Sequence, residues 1–389
     1  VIAVEEARAR ILDLVARMPC ETVGLRAAHG RVLAQTASAT RDQPPFAAAM
    51  MDGYAVRGCE VAAGARFEVI GEAAAGHGFD GALAEGQAVR IFTGAPLPRG
   101  ADHVIIQEDV ARDGDAITLL ADHDTQPYVR ALGADFKAGD PLAAPRLLTP
   151  ALLALLAAMN VAQVTVYRRP RVALIATGDE LVMPGEVPNP AQIIASNAFG
   201  LAAQIEAVGG IAQLLPIARD TPASLNTALD LAQGADVIVT IGGASVGDHD
   251  IVGRVASARG LERAFWKVAM RPGKPLMAGK IGETPLIGLP GNPVSALVCG
   301  LIFLAPALRK MQGLEALAPQ QSAILGEDLP ANGPRAHYMR ARLKGDRITP
   351  FARQDSALLS ILSEANALLI RPADDPAKRA GDSVAFLPL

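Results

Sequence analysis

Three carboxylates stand just past three glycine- or polar-cut apolar runs. Glu180 follows residues 172–176, Asp220 follows 213–218, and Asp250 follows Val237–Ile241. Oxygen-only ligands of this kind suit Mg²⁺, which commonly works beside phosphates. Further on, Arg271-Pro272-Gly273-Lys274-Pro275 sets two cations on a backbone that proline stiffens and glycine lets approach a ligand. That is a cradle for an oxyanion. Gly288-Leu289-Pro290-Gly291-Asn292-Pro293 is a rigid turn that runs into an apolar helix expected over 294–308. Amides opening such a helix favour an anion as well. The combined chemistry is phosphoryl or other oxyanion transfer with a divalent cation. Taken singly, each piece also has a plain structural use. A strand-end acid can be a solvated loop residue, and Asp220 before Thr221-Pro222 fits a helix cap.

Several common chemistries are excluded. Gly273-Lys274 is followed by Pro275, and Val268 stands where a Walker A motif needs its first glycine. Ala244 replaces the second glycine of a dinucleotide fingerprint, and Glu262, twenty residues past Gly242, opens a strand instead of ending one. No HxxxH pair suggests zinc, and no Cys–His or Ser–His signature supplies a nucleophile. A net charge of −4 with 4% aromatic residues and no basic block argues against nucleic acid. Cys20, Cys59 and Cys299 share no spacing motif, so a reducing cytoplasm is the expected compartment. Residues 149–167 lack charge but include Asn160 and Gln163, and 294–308 falls short of the about 20 residues a span requires, so no membrane is expected. Residues 1–18 read as an ordinary amphipathic helix stopped by Pro19, not as a signal peptide.

These residues must be positioned by repeated strand–turn–helix units. Strand 172–176 ends in Thr177-Gly178-Asp179-Glu180. A helix then runs from Ser196-Asn197 to Gly209-Gly210, strand 213–218 follows, and Thr221-Pro222 caps the next helix. The next strand, 236–241, ends at Gly242-Gly243, with Ser245 and Gly247 beyond it. This alternation predicts a doubly wound, mostly parallel sheet, with ligands beyond the carboxyl ends of its strands. The segment TVYRRPRVALIATG reads as one strand after a buried helix. Residues 37–133 have short segments and frequent turns, and read as an all-β module with strands at 66–70, 88–92, 103–106 and 116–120. Within it, the spacing of Asp52-Gly53 favours a hairpin turn. After Gln312, strands at 337–343, 347–351, 367–371 and 383–387 predict a small C-terminal β-barrel-like domain.

Six motifs in order resemble the MoeA family of molybdopterin molybdenumtransferases: MDGYAV (51–56), TGAPLPRGAD (93–102), TGDEL (177–181), SVGDHD (245–250), PGKP (272–275) and GLPGNPVSA (288–296), with ANAL (365–368) near the end. The resemblance implies an α/β multidomain chain: 1–36 with 134–168 as a linker domain, an inserted β-rich 37–133, an α/β domain over 169–317, and a β domain over 318–389. It implies insertion of molybdate into adenylylated molybdopterin with Mg²⁺ and release of AMP, in an elongated homodimer with a shared active site. Molybdopterin adenylyltransferase and apo-molybdoenzymes are the partners it suggests. Motif by motif, it assigns catalytic roles to Asp52, Thr93, Glu180, Asp220 and Asp250, the last three also as metal ligands. It assigns cofactor contacts to Asp135, Thr177, Gly178, Asp179, Ser196, Asn197, Gly242, Gly243, Ser245, Gly247, Arg271, Lys274, Pro290, Asn292, Pro293 and Ser295. The chain departs from the family pattern at Ala195, usually Asp, at Arg271, often Lys, and at Asp355, usually Gly. The alternatives are an adenylyltransferase built on the central domain alone and a non-catalytic scaffold of the same fold. The flanking β modules speak against the first and the retained acids against the second.

Overall fold

The structure, a computed structural model, describes residues 1–243, 251–317 and 319–389. At its centre is a six-stranded sheet in the order Ile211–Leu214, Arg171–Ala176, Val237–Ile241, Thr284–Leu289, Met277–Ile281, Leu261–Trp266. The first four strands are parallel, Met277–Ile281 runs against them and Leu261–Trp266 runs against Met277–Ile281, so the sheet is mixed, as a mostly parallel expectation allows. Both faces are covered, which is why these strands are apolar without polar alternation. Val172, Leu174, Val237, Val239 and Ile241 face one core, shared with the helix Asn197–Ala207 and the helical run Pro293–Met311. Ala173, Ile175 and Ile238 face the other, shared with helices Pro222–Leu231 and Ile251–Ala258.

The first helix is Val4–Leu14, shorter than the 1–18 expected, and it lays Val4, Ala7 and Ile11 into the first of those cores. Its entry is pinned by Ile2 N–H donating to Lys267 O and Ala269 N–H donating to Ile2 O. The helical run Pro293–Met311 is long and apolar enough to cross a membrane by composition, but 72% of its window is buried in protein. It widens to a π-helix over Gly300–Leu304, directly before Pro306. A proline ring inside a helix crowds the preceding turn and removes a donor, and a wider turn relieves both. The Gln204 side chain donates to Leu297 O beside this turn, in space that only glycine at 300 leaves open.

Two strands replace the single one expected in TVYRRPRVALIATG. Gln163–Tyr167 pairs antiparallel with Cys20–Gly24, whereas Arg171–Ala176 belongs to the central sheet. Pro170 between them has no N–H for a ladder. Arg168 holds the junction with a bidentate grip on Asp236, at 2.6 and 3.1 Å. The strand expected at 213–218 is also shifted, to Ile211–Leu214, because Pro216 stops the ladder.

The β-rich segment forms a six-stranded sheet in the order His103–Ile106, Gly53–Val56, Gln87–Ile91, Arg66–Ala73, Ala116–Leu119, Val110–Asp113, with a core on each face. It joins the rest through paired strands: Ala37–Ser38 with Pro141–Leu142, and Ala48–Ala49 with Val129–Arg130. At the other end of the chain, Ala336–Lys344, Arg347–Pro350, Gln321–Leu325, Ser383–Pro388 and Ala367–Arg371 close into a five-stranded barrel. The short strand Met270–Arg271 pairs with the start of Ala336–Lys344 and ties the barrel to the α/β unit.

Candidate functional site

Parallel register brings the strand ends to one edge. Ala176 pairs with Ile241, and Ile241 with Leu289. Hydrogen bonds carry the ladder one step further: Thr177 N–H donates to Ile241 O, Gly242 N–H to Leu289 O, and Gly178 N–H to Ala218 O, each at 3.0 Å. The turns after four strands thus surround one cleft of about 680 Å³, within the range of ligand pockets. From the sequence-derived candidates, Thr177, Gly178, Glu180, Ser196, Asn197, Asp220, Gly242, Gly243, Pro290, Asn292, Pro293 and Ser295 line it. Asp179 does not line the cleft but supports it: Asp220 N–H donates to Asp179 Oδ1 at 3.1 Å, and Asp179 N–H to Asp220 Oδ2 at 3.4 Å. Ser245, Gly247 and Asp250 lie outside the described residues.

Glycine has a specific task at two of these positions. Gly243 sits at φ +63, and a Cβ there would come within 2.7 Å of Thr177 Oγ1 and 2.6 Å of Val252. At Gly178 a Cβ would collide with the Glu180 carboxylate, which folds back over the glycine. Two turns are joined across the cleft, since Asn197 Nδ2 donates to Gly291 O at 2.7 Å. Asp220 is not the helix cap: the Thr221 hydroxyl accepts from Ser224 N–H, which leaves Asp220 at the cleft wall.

In the sequence Arg219 reads as an ordinary loop cation, and nothing there marks it as part of the site. Its guanidinium reaches Leu181 O at 2.9 Å, Asp179 O at 3.2 Å and Gly178 O at 3.4 Å, and so holds the loop that carries Glu180. The barrel also contributes to the cleft. Ala357 lines it, Ser356 O accepts from Val294 N–H at 3.0 Å, and Asn292 Nδ2 donates to Ser356 Oγ at 2.9 Å. Arg340 lies behind this loop, fully buried. It donates to Asp355 O, while its Nε and one terminal nitrogen lack partners among the described residues. The signal for this part was the Gln354-Asp355-Ser356 run, distinctive only beside a known pattern.

Arg271 and Lys274 are exposed and do not line the cleft, although Pro275 of the same turn does. Arg271 instead contacts His337. Asp135 is exposed in the segment that returns from the β-rich sheet, where its N–H donates to Gln43 O. Asp52 and Thr93 belong to that sheet and meet each other. Thr93 N–H and Oγ1–H both donate to Asp52 Oδ1, at 2.8 and 2.7 Å. Those two bonds, with the Arg90 charge as a lesser cause, lower the Asp52 pKa below its ordinary 3.8. The hairpin turn expected at Asp52-Gly53 is absent. Gly53 opens a strand, and its missing side chain is required because a Cβ would stand 2.0 Å from Ile105 O on the neighbouring strand.

Glu180 and Asp220 supply hard oxygen ligands on one wall, and among the described residues no cation pairs with either. That donor set fits Mg²⁺, which takes one or two carboxylates and keeps several waters. Among the described residues no group of three His, Cys, Asp or Glu gathers as a metal cluster.

Comparison with known proteins agrees across the whole chain. The profile of the MoeA N-terminal region (domain I and II) matches residues 2–160, a probable molybdopterin binding domain matches 173–310, and the MoeA C-terminal region (domain IV) matches 322–389. The molybdopterin molybdenumtransferase of Nostoc sp. is 36% identical over 95% of this chain and 88% of its own. That of Haemophilus influenzae is 33% identical over 100% of this chain and 98% of its own. The crystal structure of the molybdopterin biosynthesis moeA protein from Pyrococcus horikoshii superposes with a TM-score of 0.85 at 28% identity, covering 100% of both chains. The chain belongs to the MoeA family of molybdopterin molybdenumtransferases, and is a transferase of molybdenum cofactor biosynthesis.

Proposed function

We propose that this protein inserts molybdate into adenylylated molybdopterin and releases AMP in a Mg²⁺-dependent reaction, as a cytoplasmic homodimer. The observation that carries the reading is one cleft with carboxylates on one wall and a proline-rigid helix entrance on the other. Molybdate is a dianion and the adenylylated pterin is itself anionic, so bringing them together costs repulsion. The buried guanidinium of Arg340 would offset it with fixed positive charge, together with Arg271 and Lys274, which share a turn with the wall residue Pro275 but do not themselves line the cleft, and the turn at Pro290, Asn292, Pro293 and Ser295 would fit the ligand's outline. Glu180 and Asp220, with Asp250 as the third expected ligand, would hold Mg²⁺, which when bound supplies positive charge at the pyrophosphate linkage. Water adds to the AMP phosphorus as the P–O bond to the pterin phosphate breaks, with the water's proton passing to that leaving phosphate; the two dithiolene thiols displace one oxygen of molybdate, which leaves as water with their two protons. No protein nucleophile takes part in this reading, in keeping with the absence of a Ser–His or Cys–His pair among the described residues.

Asp52 and Thr93 lie in a different sheet from the cleft, and the reading gives them to the partner subunit's cleft. Molybdopterin adenylyltransferase and apo-molybdoenzymes are the proteins on either side of such a reaction. The deciding assay is release of AMP from purified adenylylated molybdopterin. Release that requires both molybdate and Mg²⁺ is expected. AMP release indifferent to molybdate, or none at all from folded protein, overturns the reading.

A further inference from the structure

Register across the seam between the α/β unit and the barrel sets Arg271 opposite His337. The seam is held by Ala336 N–H donating to Ala269 O at 3.0 Å. One terminal nitrogen of Arg271 lies 3.0 Å from His337 Nδ1. A guanidinium has donors and no acceptor, so Nδ1 is the acceptor and the ring proton sits on Nε2. The His337 side chain is only 5% exposed. Burial first, and then the charges of Arg271, Arg340, Arg371 and Arg335, push its pKa down from 6.5 to about 3. Around it, Arg371 is paired with Asp375, and Arg340 donates to Asp355 O. The imidazole is therefore neutral at neutral pH.

The usual anchor for a fixed arginine is a carboxylate, which orients it and cancels its charge. A neutral imidazole orients it and leaves the charge whole. We propose that His337 is a positioning residue that holds the Arg271 guanidinium by a neutral hydrogen bond, so that its full charge acts on the oxyanion substrate, molybdate. The proposal rests on the reading of Arg271 as an oxyanion-binding residue. It goes beyond that reading by naming the group that sets the arginine's geometry and requiring that group to be uncharged.

Molybdate half-saturation and kcat for AMP release test it in dimeric full-length enzyme. His337→Ala should raise half-saturation about tenfold with kcat within about twofold, the loss of one charge-assisted hydrogen bond. His337→Asn, whose Oδ1 replaces Nδ1, should return it to within about threefold of the parent. His337→Asp should raise it about a hundredfold, because the arginine stays oriented but loses its net charge, while melting no lower than His337→Ala. Adding His337→Ala to Arg271→Ala should change nothing further. Equal half-saturation for the Asn and Asp variants overturns the proposal, as does a further loss in the double variant. Should His337→Ala fail to fold, the nearly isosteric Asn and Asp variants decide alone. If Arg271→Ala itself leaves half-saturation unchanged, the oxyanion reading of Arg271 fails and the proposal with it. If Arg271→Ala raises it and His337→Ala does not, the reading stands and only the proposal falls.

Discussion

At the edge of the α/β sheet, Glu180 and Asp220 stand on turns that the backbone and Arg219 hold from behind, and no cation meets their carboxylates among the described residues. In the β-rich sheet, Asp52 is the reverse. One of its oxygens takes two hydrogen bonds from Thr93, so the acid is engaged before any ligand arrives. The first arrangement leaves oxygens for an incoming cation. The second fixes one oxygen and lowers the acid's pKa, which suits a group that must stay ionised and point one way. The same residue type thus serves two ends, and what its scaffold does with its lone pairs decides which.

The contrast breaks most sharply at Glu180. Glu180→Gln should cut AMP release roughly a hundredfold or more with the fold kept, since a loop carboxylate contributes little to stability and much to the reaction. Near-parental turnover at low Mg²⁺ would show that the cleft acids are merely solvated. The next largest effect concerns the assembly. If the chain is a homodimer, as proposed, its Asp52→Ala and Glu180→Ala forms should each be inactive. If sites are shared, mixing them under subunit exchange should restore about a quarter of parental activity, because half the dimers are mixed and each has one intact site. No recovery despite exchange proven by mass spectrometry would place Asp52 in service of its own chain.

Arg219→Ala comes third. Loss of three carbonyl contacts should lower the melting temperature by roughly 2–4 °C and raise the Mg²⁺ concentration needed for half-maximal rate about threefold. A change in stability alone would reduce Arg219 to a loop brace. The smallest effect sharpens the other half of the comparison. Thr93→Val keeps the backbone bond and removes the hydroxyl, so the Asp52 pKa should climb part of the way back toward 3.8, read by carboxyl NMR titration. Because the folded value is depressed, the stability linked to Asp52 is present above 3.8 and is lost as pH falls through that lower value. The variant should show less of that loss.

The central sheet was legible because its strands are β-branched runs stopped by Thr-Gly or Gly-Gly, and because Thr221-Pro222 announces a helix. Locations beyond the strand ends followed from topology. What periodicity missed were interruptions set by a missing N–H, at Pro170 and Pro216, and glycines chosen for proximity. Asp52-Gly53 carries the dipeptide of a turn, yet Gly53 is there to let two strands close up. Equally hidden were the contributions of distant chain: Ala357 lines the cleft and Ser356 bonds its Asn292 turn because the barrel docks on the α/β unit, through the Met270–Arg271 pairing and through Tyr338 and Leu368 in the shared core, which no local pattern encodes. On the sequence, Arg271 and Lys274 form an oxyanion cradle on a proline-stiffened turn. The structure puts the proline of that turn at the wall and turns Arg271 toward the barrel.

The way the β-rich segment is attached has a modular consequence. The chain goes out through Ala37–Ser38 and comes back through Pro141–Leu142, with the two runs side by side, about 4.8 Å apart as paired strands are. A segment whose ends adjoin can be exchanged as one piece, although Ala39 and Phe136 of this one also pack into the core formed with Leu33, Leu148 and Leu156. Joining residue 38 to residue 141 through a two-residue turn would close the short ladder between them, and the piece so removed carries its own sheet and two cores.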